Sequence, residues 1–512
     1  MHRPGSTSPN HRPAAPRLGP RCLARWWLLW SSLCLASWAF AAEPLRVGSK
    51  RFTESYILAQ VLAQTAAPHA TVEVKAGLGN TAIVYEALRA GSIDVYPEYT
   101  GTIALEILKD PAATSLEAMR PALARLGLGV DVKLGFNDGY ALAMREDRAA
   151  TLGIRKLSDL ARHPELKLGL SNEFIGRADG WPGLSGRYGL GQQPRGLDHG
   201  LAYDAVAGGQ VDVIDIYTTD AKIGHLGLRV LTDDAGHFPR YDAVLLYRLD
   251  VPQRFPQAWA ALQGLAGRIE EPAMIRMNAR AELDGVAFER IAADHLAGRD
   301  ATGKAAGGFV GQLFGPDLAR LTLQHLGLVL AAVALAAGIG VPLAVWVAPH
   351  ARARGVVLGL TGLLQTVPSL AMLAVLISLL GRIGTAPALV ALTLYALLPI
   401  MRNTCTGLAE VPAGLKMAAQ ALGLSSLQSL RHVELPLALP VILAGVRTAT
   451  TISVGTATIA AFIGAGGYGE RIVTGLALND KGLLLAGALP AAALALAFEG
   501  LFALLERWRR NP

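Results

Sequence analysis

The run LTLQHLGLVLAAVALAAGIGVPLAVWV, residues 321–347, decides how the rest of the chain is read. It contains no Asp, Glu, Lys or Arg, and its 27 residues exceed what a helix needs to cross a hydrocarbon layer of ~30 Å. It ends at Pro349-His350-Ala351-Arg352-Ala353-Arg354, and cations directly after an apolar span mark a cytoplasmic end.

Toward the C-terminus the same pattern recurs over residues 355–380, 386–401, 437–462 and 483–505, which predicts five spans in all. A chain that begins outside finishes inside after five crossings. Its last stretch, Glu506-Arg507-Trp508-Arg509-Arg510, agrees with the positive-inside rule. Between the third and fourth spans, residues 403–435 carry Glu410, Lys416, Arg431 and Glu434, with helical spacing at Leu415, Leu422, Leu427 and Leu430. The topology predicts that this segment is cytoplasmic. Pro and Gly within the spans favour kinks and close helix approach, as in a bundle that lines a pathway.

Toward the N-terminus the solvent changes. Residues 297–317 are rich in Gly, Ala and charge without apolar periodicity and read as a linker. Before it, residues 44–300 alternate strand-like runs with amphipathic helical ones: 45–48 then 57–64, and 72–75 then 82–88. A second set at 167–170 and 211–216 is long enough for another lobe, so a two-lobed α/β fold with a cleft is expected. The first residues combine Arg and His with an apolar run over 26–40 and Ala39-Phe40-Ala41, the pattern of a secretory signal or, alternatively, of a retained anchor. The expected organisation is 1–42 signal or anchor, 43–297 exported domain, 298–317 linker and 318–512 an all-α transmembrane domain.

Composition narrows the chemistry. Apolar residues make up 52% of the 512, with a mean hydropathy of +0.35. The net charge of +7 comes partly from cations flanking the spans, such as Arg352, Arg354, Arg507, Arg509 and Arg510, which argues for membrane flanks over nucleic acid. Cys22, Cys34 and Cys405 all lie outside the exported domain, so it can hold neither a disulfide nor a cysteine-based metal site. The chain has no Gly-x-x-x-x-Gly-Lys-Ser/Thr, nucleophile elbow or metal-spaced His pair, so no catalytic residue, metal or cofactor is expected in it.

Candidate binding residues lie in the exported half. Gly48-Ser49-Lys50-Arg51-Phe52-Thr53-Glu54 follows a strand and opens a helix, where backbone donors and a lysine can hold a carboxylate. Four tyrosines occupy strand-end or loop contexts: Tyr99 before Thr100-Gly101-Thr102, Tyr140 after Asn137-Asp138-Gly139, Tyr217 before Thr218-Thr219-Asp220, and Tyr241 after Phe238-Pro239-Arg240. Each alone also reads as a half-buried structural aromatic. Arg177 stands four residues after Glu173, which also allows a surface helix pair, and Asp179 and Asp220 read as structural acceptors.

Longer motifs add a resemblance. Met417-Ala418-Ala419, then Gly423, then Leu435-Pro436, resembles the Glu-Ala-Ala loop of bacterial ABC import permeases, except that Met417 stands where an acid is usual. In that family the loop docks onto the ATPase; its parts are a short amphipathic helix, a turning Gly and a Pro that ends one segment before the next span. Gln365-Thr366-Val367-Pro368-Ser369, the stretch from Tyr395 to Thr404 and Phe462-Ile463-Gly464-Ala465-Gly466-Gly467-Tyr468-Gly469 are similar to permeases of the osmoprotectant branch. The region from Gly48 to Asp242 resembles glycine betaine binding proteins through Gly77-Leu78-Gly79-Asn80-Thr81, the stretch from Asp94 to Thr102, that from Glu173 to Gly180, and Tyr217-Thr218-Thr219-Asp220.

The resemblance implies an aromatic box of Tyr99, Tyr140, Tyr217 and Tyr241 around a trimethylammonium head, with Lys50, Arg177 and Thr102 on a carboxylate. It implies a multi-pass subunit in a bacterial inner membrane with its binding domain in the periplasm. Its partners would be a separate ABC ATPase, a second permease copy and a small zwitterionic or cationic solute, with choline, carnitine or another trimethylated compound as alternatives to glycine betaine. A membrane-anchored receptor is the alternative of a different class, and five spans exceed what an anchor requires.

Overall fold

A computed structural model describes residues 43–299, 308–478 and 480–510. Residues 1–42, read above as a signal or anchor, and linker residues 300–307 lie outside that description.

Among the described residues ten strands form two five-stranded sheets. They are β1 (Leu45–Gly48), β2 (Val72–Lys75), β3 (Val95–Tyr99), β4 (Leu128–Asp131), β5 (Tyr140–Arg145), β6 (Leu168–Ser171), β7 (Arg195–Leu197), β8 (Val213–Tyr217), β9 (Leu228–Val230) and β10 (Ala243–Arg248). The first sheet has the order β2-β1-β3-β10-β4 and the second β7-β6-β8-β5-β9. In each, three strands are parallel, β2-β1-β3 and β7-β6-β8, and an antiparallel strand that arrives from the other lobe joins them, β10 against β3 and β5 against β8. The chain therefore crosses between lobes twice, after β4 and after β9, and the two crossings touch through the Asn137↔Asp242 bridge. β1, β2, β6 and β8 fall on runs read as strand-like from the sequence, whereas β5 and β10, apolar and buried along most of their length, and the shorter β4 and β9 lie outside those runs. Helix α1 (Thr53–Ala66) buries most of its surface, with Ile57, Leu58, Val61 and Leu62 fully inside the first lobe's core.

The same pairing that closes each sheet positions the tyrosines. Tyr99 ends β3 opposite Ala243, and Tyr140 opens β5 opposite Tyr217, the last residue of β8. Carboxyl ends of strands in such sheets face the crevice, so the rings emerge where the crossings meet.

Two further helices matter below: α2 (His199–Ala207), against the second sheet, and α3 (Glu271–Glu282), packed on α1.

The remainder is helical: α4 (Phe309–Leu313), α5 (Leu318–Val347), α6 (Ala351–Thr366), α7 (Ser369–Leu380), α8 (Thr385–Glu410), α9 (Ala413–Ala421), α10 (Leu435–Thr456), α11 (Gly469–Leu478) and α12 (Lys481–Arg510). Among the described residues four helical runs are long and apolar enough to cross a membrane, within 318–347, 385–410, 426–463 and 481–508. The fifth expected span, 355–380, is not straight: α6 and α7 meet at 103°, so it counts as a span only if the bent pair is one. Val367-Pro368 makes the break, because the residue before proline is pushed to extended backbone, here ψ 128°. Two other expectations are corrected. The third span is longer than 386–401, since α8 continues to Glu410 and shortens the loop after it. Pro436 ends no segment either: helix runs from Ser426 to Ile463, with Pro436 taken into the first turn of α10 after a wide turn at Leu430–Glu434.

The end of the linker is structured and anchored. Gln312 on α4 bonds Asp480, and Asp317 receives two bonds from buried Arg471 on α11, at 3.0 and 2.6 Å. The remaining Arg471 nitrogen donates to the carbonyls of Leu313 and Ala486. Asp317→Asn should lower stability by on the order of 2 kcal/mol, because it leaves a buried guanidinium without its counter-charge. A reduced thermal midpoint of the full chain in detergent checks this; an unchanged one contradicts the anchoring.

Contacts join the α/β part to the helical part. Arg51 lies over the Phe462 ring at 5.1 Å, Ile383 N–H donates to Ser92 Oγ, and Lys222 Nζ donates to the Leu478 carbonyl at the end of α11.

Candidate functional site

All seven residues expected to bind solute line one cavity between the lobes: Lys50, Tyr99, Thr102, Tyr140, Arg177, Tyr217 and Tyr241. Tyr140 is the centre of the aromatic group, with its ring centroid 5.2 Å from Tyr217 and 5.7 Å from Tyr241, the latter edge to face. Phe52, also in the lining, lies 5.1 Å from Tyr217 and 6.2 Å from Tyr99 and so links Tyr99 to the group. The rings are in mutual contact around only about 20 Å³ of space, so a trimethylammonium group enters only by parting them. Next to it lies a cleft of about 220 Å³ that shares Lys50, Phe52, Glu173 and Tyr217 and is lined on one side by Ala477 of α11.

The two cations carry internal partners that sequence reasoning missed. Lys50 Nζ bonds the fully buried carboxylate of Glu98. Arg177 is buried, which excludes the surface helix pair with Glu173; Nη1 is 3.7 Å from Glu173, while Nε and Nη2 grip Asp179 at 2.8 and 2.6 Å. Arg177 Nη2 also donates to Thr102 Oγ1 at 3.3 Å, and Tyr241 donates to Asp179 at 2.5 Å. Burial works to raise the Asp179 carboxyl, yet Arg177 and the Tyr241 hydroxyl outweigh it and hold that carboxyl below its ordinary range. Arg177 also lies 5.2 Å over the Tyr140 ring, and Lys50 5.1 Å over Tyr99.

Behind Tyr217 stands a third cation, this one unforeseen. His199 of α2 stacks on that ring at 4.3 Å and contacts Asp220 Oδ2 at 3.0 Å. Burial works to lower the imidazole, but Asp220 and Asp215 raise it to about 9, so it is positively charged at neutral pH. The signal for Phe52, Glu98, Asp179 and Asp220 lay inside the motifs already quoted; His199 joins only through the fold. Among the described residues no group of three or more His, Cys, Asp or Glu side chains is placed to hold a metal ion.

On the helical side, Gly423 follows α9 with φ +78°, the left-handed turn expected there. Ala419 is buried, while Leu415, Met417, Leu422 and Leu427 are exposed, Leu422 at 82%. Leu435 and Pro436 open α10.

A two-lobed domain with aromatic and cationic residues in its cleft, fused to a bundle of apolar helices, defines a membrane import subunit that carries its own solute receptor. Comparison with known families agrees. Residues 43–298 match the substrate binding domain of the ABC-type glycine betaine transport system, and residues 340–511 match the binding-protein-dependent transport system inner membrane component. The chain belongs to these families: a glycine-betaine-type binding domain fused to an ABC transport permease domain. It is similar to the osmoprotectant import permease protein OsmW of Salmonella typhimurium, 47% identical over 37% of this chain and 90% of that one. It is also similar to a glycine-betaine-binding protein of Pseudomonas aeruginosa, 36% identical over 52% of this chain and 93% of that one. Among solved structures, a glycine betaine/carnitine/choline ABC transporter is 26% identical, with a TM-score of 0.43 over 50% of this chain and 98% of that one.

Proposed function

We propose that this protein captures a quaternary-ammonium osmoprotectant of the glycine betaine class and passes it through its own permease domain, driven by a separate ATPase. The observation that carries this reading is the convergence of Tyr99, Tyr140, Tyr217, Tyr241 and Phe52 on one interlobe cavity. A quaternary ammonium has no N–H to donate, so ring faces must recognise it, at roughly 0.5–2 kcal/mol each. Arg177 Nη1, Thr102 and Lys50 stand beside the rings to receive a solute carboxylate.

A second reading, choline, is favoured by one specific observation. Lys50 and Arg177 already have buried carboxylate partners in Glu98 and Asp179, and Asp138 and Glu173 add negative groups to the cavity lining. Titration calorimetry of the purified full chain in lipid nanodiscs with glycine betaine, carnitine and choline decides. Micromolar binding of glycine betaine at least tenfold tighter than choline is expected; the reverse order establishes the choline reading, and no binding of any of them removes both.

The permease works as a pair of copies with the binding domain in the periplasm. The Arg447–Glu499 ion pair joins α10 to α12 within apolar spans and is about one-third exposed on each side. A charge facing lipid at the membrane centre costs about 2.5–3.5 kcal/mol, so this face is covered by a second copy or by a watered path between copies. The exposed apolar residues around Gly423 form the ATPase-docking surface. The segment after residue 297 tethers the binder at the mouth of its own permease, which replaces encounter by diffusion with a high effective concentration.

A further inference from the structure

Behind the aromatic box, four oxygen-bearing side chains form an unbroken line across the two lobes. Tyr99 Oη lies 2.5 Å from Glu54 Oε1, Glu54 Oε2 lies 2.6 Å from Thr219 Oγ1, and Thr219 Oγ1 lies 2.9 Å from Asp138 Oδ1. Tyr99 and Glu54 belong to β3 and α1 of the first lobe; Thr219 follows β8 of the second, and Asp138 lies on the crossing into it. All four are buried, none more than 5% exposed.

Each of the three links requires one hydrogen between its oxygens. The Tyr99 and Thr219 hydroxyls supply two. The third has to come from a carboxyl group, because two ionised carboxylates are acceptors only and a single Thr hydroxyl cannot donate to both. We propose that Glu54 is a positioning residue of the solute box that shares one proton with Asp138 through the Thr219 hydroxyl, so that closing the lobes on a solute takes up a proton. This rests on the reading of the box above, since Tyr99 and Asp138 line it.

The surrounding bonds favour Glu54 as the carrier. Asp138 Oδ1 also lies 3.3 Å from the Thr219 N–H, so an ionised Asp138 accepts both the amide and the hydroxyl of Thr219. Thr219 Oγ1 is then free to accept from a protonated Glu54, while Tyr99 donates to the other Glu54 oxygen. Asn278 Nδ2 of α3 donates to the Thr219 main-chain carbonyl at 3.1 Å and lies 3.5 Å from Thr219 Oγ1, which keeps a second lone pair for Glu54. The groups facing the pair are Tyr99 beside Glu98 on β3, Lys50 after β1, which is turned to Glu98, and Asp220 after β8, which is paired with His199 of α2. Glu282 of α3 also faces Asp220. Burial is the main force raising both carboxyls, Glu54 from 4.5 to about 7, and the Asp220 charge adds to it. Parting the lobes breaks the Glu54–Thr219 link and returns Glu54 to water.

The sign follows. The closed form holds the proton more tightly than the open one, so affinity is flat above pH ~7 and rises as pH falls toward ~4.5, by up to tenfold per unit. Calorimetry of the full chain in nanodiscs with glycine betaine, from pH 8.5 to 5.5 in two buffers of different ionisation enthalpy, should give about thirtyfold tightening and an uptake approaching one proton near pH 6. Glu54→Gln keeps an acceptor for Tyr99 and a donor for Thr219, so it should bind at every pH with a flat profile, whereas Glu282→Gln should keep the slope. A pH-independent wild type, a Glu54→Gln variant that retains the slope, or one that folds by circular dichroism yet fails to bind, each overturns the inference. Flat binding removes this inference alone, while no binding of glycine betaine at any pH removes the box reading with it.

Discussion

Tyr140→Ala should weaken glycine betaine binding about a hundredfold, while Tyr140→Phe changes it less than about fivefold. Tyr140 touches Phe174, Tyr217 and Tyr241 and carries Arg177 over its face, so its removal takes away one wall and loosens two more. A desolvated cation–π contact is worth about 2 kcal/mol, or thirtyfold in affinity, and loss of the packing that holds Arg177 supplies the rest. Phenylalanine keeps the ring face and loses only the hydroxyl, so the ratio of the two variants separates recognition by ring faces from recognition by phenol hydrogen bonds. Equal losses in both, measured by calorimetry on folded protein, would assign recognition to the phenol hydroxyl, and unchanged affinity in Tyr140→Ala would place the solute elsewhere.

How much of this was legible depends on range. β1 and β2 fall on the residues read as strand-like because each is a short apolar-alternating run beside a helix that buries one face. The seven residues that line one cavity were named through the resemblance of longer motifs to glycine betaine binding proteins, because each tyrosine alone also reads as a half-buried structural aromatic. What supports them was not. Glu54 reads as an ordinary first-turn acid of α1, which it also is, and nothing local reveals that it meets Thr219, 165 residues away. Asp179 sits two residues from Arg177 and could have been named as its partner, but only burial shows that this pair outweighs the one with Glu173. In the helical half, hydropathy found the spans and missed the 103° bend, because an apolar window averages over a single extended residue before a proline.

The anchored linker and the cleft share α11. α11 ends beside Lys222 and supplies Ala477 to the wall of the interlobe cleft, and its Arg471 grips Asp317 at the start of the first long helix. One short helix therefore touches both the interlobe cleft and the start of the first long helix.

Leu422→Glu combined with Leu427→Glu should reduce ATP-driven betaine uptake in proteoliposomes more than tenfold and leave betaine affinity unchanged. These side chains are 82% and 73% exposed, and with Met417 at 63% they make an apolar surface around the Gly423 turn. A protein leaves such a patch in water when a partner covers it. Two carboxylates buried against that partner without counter-charges cost several kcal/mol, enough to uncouple hydrolysis from transport. Met417→Glu is the internal contrast. It restores the acid usual at that position of the loop this segment resembles, so uptake should persist. Loss of uptake in Met417→Glu equal to that of the double variant would mean that any charge on this face is tolerated poorly and that Leu422 and Leu427 mark no specific contact. Uptake maintained in the double variant would move the ATPase away from this loop altogether.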